Sequence, residues 1–344
     1  MIIPQTELLQ RVAHFQDHLK QDGVDGAVLF QRADLIYYTG AVFQGALVVP
    51  AQDEPQLFIW RGQDRIPSNF SWQVHILRNI YQFVGEIRSS IWIKWKHIGF
   101  EEDVIPFRIY RQIIKPLWPE AELVDISSAI LRQRSVKSAT ELKLMRESGK
   151  LLAQSFQALP NLLRLGMREF EIQLAMEQIL REGGSQGLIR ARGFNTEPGL
   201  IAAAGASAAE PSAFDGPVGQ TGMNPLAPYG SGRRVIESNV PILIDLISAK
   251  DAYVTDMSRT CVVGRLNEKF ERAYRFCLDI HEEIIALLAP GAIPAELYRK
   301  ALARADQAGY KEVFMNSGSN QVRFIGHGLG LELDEWPIIN ENTL

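Results

Sequence analysis

Apolar residues at Leu8, Val12, Phe15 and Leu19 recur at steps of four and three, which puts them on one helix face, and Gly23 is placed to end that helix. Short apolar runs follow at 26–30, 46–49, 57–60, 74–77 and 98–100, with helical patterns at 81–91 and 107–117 between them. Strands alternating with helices predict an α/β domain. The pattern ends near Leu131, where the polar, basic stretch 132–139 begins. The boundary is expected there, giving an N-terminal domain of residues 1–132 and a C-terminal domain of residues 133–344.

The second half is built differently. Leu142, Met145, Leu152, Phe156 and Leu159 mark the apolar side of a long helix, and a second helix over 167–181 stops at Gly183-Gly184. Between Gly193 and Val235 the chain turns to Gly, Ala and Pro with little periodicity. A loop this long inside a domain is usually functional. Two strands come next, at 241–246 and 253–263, then helices at 268–288 and 295–307. The segment 321–333 reads as a glycine-bearing strand.

Composition narrows the function classes. Of the 344 residues, 46% are apolar and 22% charged, which excludes global disorder. The net charge is −4, and no cluster of Lys and Arg suggests a nucleic-acid track or a membrane patch. The two cysteines, Cys261 and Cys277, form no Cys-x-x-Cys pair, which rules out a disulfide scaffold and a thiolate zinc site. With no basic-then-apolar leader pattern and no spanning run, a soluble cytoplasmic protein is expected.

The most informative residues are Asp245 and Asp256. If the two strands form a hairpin symmetric about Lys250-Asp251, these carboxylates lie directly opposite on one sheet face, with Cβ atoms roughly 4.5–5.5 Å apart. Asp245 also interrupts the apolar run 242–247, where an unpaired carboxylate is costly. A divalent cation between the two would relieve both problems. The alternative is that Asp256 points to solvent or pairs with Arg259. His327, flanked by Gly326 and Gly328, is a candidate imidazole ligand, since glycines allow close approach. A hydrogen-bonded core histidine is the alternative there. His14 and His18 lie on the polar face of the first helix, and His75, His97 and His281 have no carboxylate or cysteine pattern beside them.

Together these strings resemble the aminopeptidase P, prolidase and creatinase family. Ile244-Asp245-Leu246 and Tyr253-Val254-Thr255-Asp256-Met257-Ser258-Arg259-Thr260 resemble its metal-binding hairpin. Gly326-His327-Gly328-Leu329-Gly330-Leu331-Glu332 resembles its histidine segment. Val136-Lys137-Ser138, Pro290-Gly291 and Ile36-Tyr37-Tyr38-Thr39-Gly40 match as well. The resemblance implies an α/β creatinase-type N-terminal domain and an α+β pita-bread C-terminal domain. It further implies two divalent metal ions (manganese, cobalt or zinc) that share a hydroxide, and loss of the N-terminal residue from Xaa-Pro peptides. Asp245, Asp256 and His327 would be the metal ligands, and a homodimer is implied.

The chain departs from the family at three places. The substrate-side histidine would fall near Pro228, where none stands; Tyr229 is a candidate donor in its place. The family's second histidine corresponds to Asp334, which puts the usual proton shuttling and oxyanion stabilisation in doubt. Two glutamate ligands would come from strands beyond Leu344, and Glu341 is too close to His327 to replace one. The pita-bread domain is therefore expected to be truncated at its C-terminus, and the 344-residue form to have little or no peptidase activity. Glu335 is a further candidate ligand, but a salt bridge or a helix start is its expected role. Two other readings stand: a non-catalytic binding protein of the same fold, and a metal-free creatinase-like amidinohydrolase, against which the retained aspartates argue. The partner is a peptide or other small molecule, with no nucleic acid and no membrane.

Overall fold

The computed structural model describes residues 2–68, 70–210 and 216–343. Residues 211–215 of the long loop, and Leu344, lie outside the described residues. The chain divides into two compact units, Met1–Val136 and Lys137–Leu344. The division falls inside the polar stretch 132–139, whose first part is the last turn of a helix.

The N-terminal unit holds a six-stranded mixed sheet. Its strands are β1 (Gly26–Leu29), β2 (Gln44–Pro50), β3 (Gln56–Arg61), β4 (Gln73–Ile76), β5 (His97–Phe100) and β6 (Glu122–Asp125), in the order β4-β3-β2-β1-β5-β6. Its helices are α1 (Gln5–Gln21), α2 (Arg32–Thr39), α3 (Ile80–Ser89), α4 (Phe107–Ile109), α5 (Lys115–Leu117) and α6 (Ser127–Ser135). Val28, Ala46, Val48 and Phe58 share one buried cluster with Phe83, Ile87 and Ile113. Their alternate neighbours Leu29, Leu47 and Ile59, equally buried, point to the other side of the sheet. The helix predicted over 107–117 is interrupted by a π turn at Tyr110–Ile114. Pro116 explains it, having no N–H and clashing with the carbonyl of the preceding turn.

A cluster of charged groups in this unit is buried. Arg134 on α6 and Asp34 on α2 form a buried ion pair at 2.6 Å. Glu101, also buried, accepts backbone N–H bonds from Phe30 and Gln31. Burial, and next the charge of Asp34, hold the Glu101 carboxyl well above the usual range.

The C-terminal unit opens with α7 (Ala139–Leu162), whose start is fixed by a capping box between Ser138 and Glu141. α8 (Glu169–Glu182) packs against it, and Leu152, Leu159, Ile172 and Met176 bury against Ala202, Ile242, Ile244 and Leu246 of a three-stranded antiparallel sheet. That sheet is β7 (Ile201–Ala204), β8 (Pro241–Lys250) and β9 (Tyr253–Val262). β7 lies within the stretch predicted to be loop. Its Ile-Ala-Ala-Ala sequence is buried throughout and shows no polar alternation, so no period marks it. α9 (Glu268–Leu287) and α10 (Pro294–Gln307) follow, then the antiparallel pair β10 (Phe324–Gly328) and β11 (Glu335–Asn340). Of the predicted strand 321–333, only 324–328 forms β10; 321–323 lead into it and 329–333 belong to the connection to β11. Among the described residues, no helix is long and apolar enough to cross a membrane.

Candidate active site

β8 and β9 are joined by Asp251-Ala252, whose φ values of 50° and 75° are both left-handed. Two-residue turns of this kind match the twist of paired strands. Lys250 therefore pairs with Tyr253, Asp245 lies opposite Ser258, and Asp256 lies opposite Ile247. The expected face-to-face pairing of Asp245 with Asp256 is corrected, because the turn sits one residue later than assumed. The slip amounts to two residues on the partner strand, an even number, so both side chains keep the same face. They are diagonal neighbours close enough to share a hydrogen bond. Arg259 pairs with Ile244, on the opposite face, and its guanidinium lies over Phe156, so it does not neutralise Asp256.

The environment of Asp256 is hostile to its charge. Burial first, then the charge of Asp245, the hydrogen bond with Asp245 and the charge of Asp334 push its carboxyl up to about 8. Its Oδ1 is buried without a hydrogen-bond partner. Asp245 is better satisfied, since the Ser258 hydroxyl donates to its Oδ1 at 2.6 Å.

His327 completes the group. Its Nδ1 lies 3.0 Å from the Gly328 carbonyl, which can only accept, so in the neutral ring the proton sits on Nδ1. Nε2 faces Asp334 Oδ1 at 3.5 Å and Asp256 Oδ2 at 4.0 Å, ion pairs when the ring carries both protons. Asp245, Asp256, Ser258, His327, Asp334 and Glu197 line one cavity of about 220 Å³. A wider vestibule of about 580 Å³ shares His327, Asp334 and Phe324 with it and adds Tyr229 and Arg323. The other histidines lie elsewhere; His75, for instance, stacks on Phe58 and bonds Gln56.

The donor set fits a divalent cation in kind. Two neighbouring carboxylates, one with an unpartnered buried oxygen, and an imidazole whose Nε2 faces into the same cluster are the oxygen and nitrogen donors such a cation takes. The spacing is open. Among the described residues, no three His, Cys, Asp or Glu groups are drawn around one point closely enough to hold an ion as they stand.

Three residues of this site carry weak sequence signals. Ser258 could have been found by counting two from Asp256 along the strand, which returns to the same face. Glu197 and Arg323 sit in aperiodic segments and were not singled out. Glu335 was expected in a salt bridge, and it makes one with Lys137 at 3.1 Å.

An α/β unit ahead of an α+β unit with an acidic hairpin facing a glycine-flanked histidine is a two-domain metallopeptidase fold. Residues 143–344 match the model of metallopeptidase family M24, and residues 11–136 match the creatinase/prolidase N-terminal domain. The chain belongs to metallopeptidase family M24. It is 23% identical to an uncharacterised peptidase of Bacillus subtilis over 92% of this chain and 81% of that protein. It is 22% identical to an Xaa-Pro dipeptidase of Pyrococcus horikoshii, over 97% of this chain and 84% of the relative. The crystal structure of the prolidase from P. horikoshii superposes with a TM-score of 0.78 at 20% identity, covering 97% of this chain and 86% of that one. An X-Pro aminopeptidase from Thermotoga maritima gives 0.73 at 19% identity, covering 95% and 86%. These likenesses bear out the expected creatinase-type and pita-bread architecture.

Proposed function

We propose that the protein hydrolyses short Xaa-Pro peptides, releasing the N-terminal residue, with Asp245, Asp256 and His327 as ligands of a divalent cation. The observation that carries this reading is the buried, unpartnered Oδ1 of Asp256 beside Asp245 and 4.0 Å from His327 across its other oxygen. When bound, a divalent cation supplies the charge that polarises a peptide carbonyl and acidifies water. The protein's own groups prepare that chemistry. Ser258 orients Asp245 through its hydroxyl, and the Gly328 carbonyl fixes the imidazole tautomer that leaves Nε2 unprotonated. Asp334, beside that nitrogen, is placed to take a proton near the reacting bond. Tyr229, in the vestibule, is the donor nearest in role to the histidine absent at Pro228.

A second reading, a non-catalytic peptide-binding protein, is favoured by one contact: Asp334 at 3.5 Å occupies the imidazole nitrogen that a cation would need. Release of proline from an Ala-Pro dipeptide, with chelator and with excess manganese, separates the two. The hydrolase reading predicts manganese-dependent release that Asp256→Asn abolishes. Dipeptide binding without release at any manganese concentration would instead select the binding reading.

A further inference from the structure

The stretch between β10 and β11 carries Asp334 and is joined directly to the strand carrying His327. The buried carboxylate of Glu335 anchors this connection. Its Oε2 meets the Lys137 ammonium at 3.1 Å, and both side chains are at most 10% exposed. Its Oε1 accepts the backbone N–H of Glu332 at 3.1 Å. Gly330 passes so close that a Cβ there would lie 2.5 Å from both Glu335 oxygens and would push this carboxylate out of its place. The connection is further tied to β9, where the Val254 N–H donates to the Gly330 carbonyl at 2.6 Å, and the Leu333 N–H donates to the Arg190 carbonyl at 2.8 Å.

Asp334 precedes Glu335 in the bend that enters β11, and its carboxylate lines the cavity 3.5 Å from His327, so the anchor of Glu335 on Lys137 holds the backbone from which Asp334 projects. Gly328 pairs with Glu335 across the ladder, so the same anchor sets the end of the strand that carries His327. Lys137 precedes α7, whose start is held by its own capping box. The anchor point is therefore rigid.

We propose that Glu335 and Lys137 are a positioning pair that holds His327 and Asp334 against Asp256, so that the cavity's donors face one another only while this buried contact is intact. Neither residue is among those lining the cavity or its vestibule. The proposal rests on the reading of the cavity as a cation-dependent site, but its first readout does not.

The test uses the full chain as wild type, Glu335→Gln, Lys137→Met and the double variant. Glu335→Gln keeps the shape and the acceptor for the Glu332 N–H while removing the charge. The first readout is the imidazole Cε1–H resonance of His327, assigned by its loss in His327→Gln, among the signals of the six histidines. The second is the calorimetric affinity for manganese alone. Each single variant should move the His327 resonance while leaving His14, His18 and His75 in place, and should weaken manganese binding about tenfold or more. The double variant should be no worse than the singles, because the two residues act through one contact. An unmoved His327 resonance in a folded variant overturns the proposal, as does a general shift of all six signals. If wild type binds no manganese, the cation reading fails while the resonance still decides the positioning role. Should Glu335→Gln not fold, Lys137→Met, which leaves the carboxylate and its backbone contact in place, decides alone. If that variant fails too, the pair is structural and the proposal falls.

Discussion

Replacing Asp256 with Asn should stabilise the protein in the presence of chelator. Two costs are relieved together: a like-charged neighbour on the same sheet face, worth about 0.2–1 kcal/mol, and the desolvation of an incompletely partnered buried charge, worth about 1–3 kcal/mol. Whether the wild-type pair stays doubly charged or takes up a proton, it is less stable than a pair in which an amide can donate to Asp245. Some of this will relax, because the Asp256 side chain retains 25% exposure, so the expected gain is about 1–2 kcal/mol. For a unit of this size that is a rise in Tm of about 3–6 °C. With manganese the order should reverse. A ligand that binds only the folded state adds about 2.7 kcal/mol at a hundredfold excess over Kd, and the Asn variant lacks the anionic donor needed to gain it. Thermal melts of both proteins, with chelator and with manganese, measure all four values. An Asn variant that is less stable in chelator and responds fully to manganese would show that the hairpin carboxylates are ordinary surface groups.

Glu101→Gln should flatten the stability profile above the ordinary carboxylate range. A carboxyl raised above its unfolded value contributes stability that is complete below that value and is lost as pH rises through the folded one. Wild type, with Asp34 and Tyr38 facing this group, should therefore lose Tm relative to the variant as pH rises above the ordinary carboxylate range; parallel profiles would refute this. Arg134→Met should cost about 3–5 kcal/mol, because it strands Asp34 buried beside a second carboxyl. A denaturant midpoint unchanged from wild type would contradict it.

Helices were readable wherever an apolar stripe faced a core. Leu8, Val12, Phe15 and Leu19 are all buried as their spacing predicts. The hairpin was readable in its faces and not in its register. Face depends on a period of two along each strand, whereas register depends on which two residues turn, and Asp251-Ala252 is a less obvious left-handed pair than one containing glycine. The approach of Asp334 to His327 joins residues seven apart through a connection shaped by the contact between Glu335 and Lys137, 198 residues apart in the chain. No local pattern records a contact of that range. β7 escaped notice for the opposite reason: alanines bury without leaving a period.

The central claim is that Asp245, Asp256 and His327 together bind a divalent cation. Its most direct test is titration calorimetry of manganese into the chelator-treated, dialysed full chain, repeated on Asp245→Asn, Asp256→Asn and His327→Gln. Saturable binding in wild type that each of the three substitutions weakens or removes is the predicted result. Binding of equal affinity in all four proteins, or none in wild type, would contradict it.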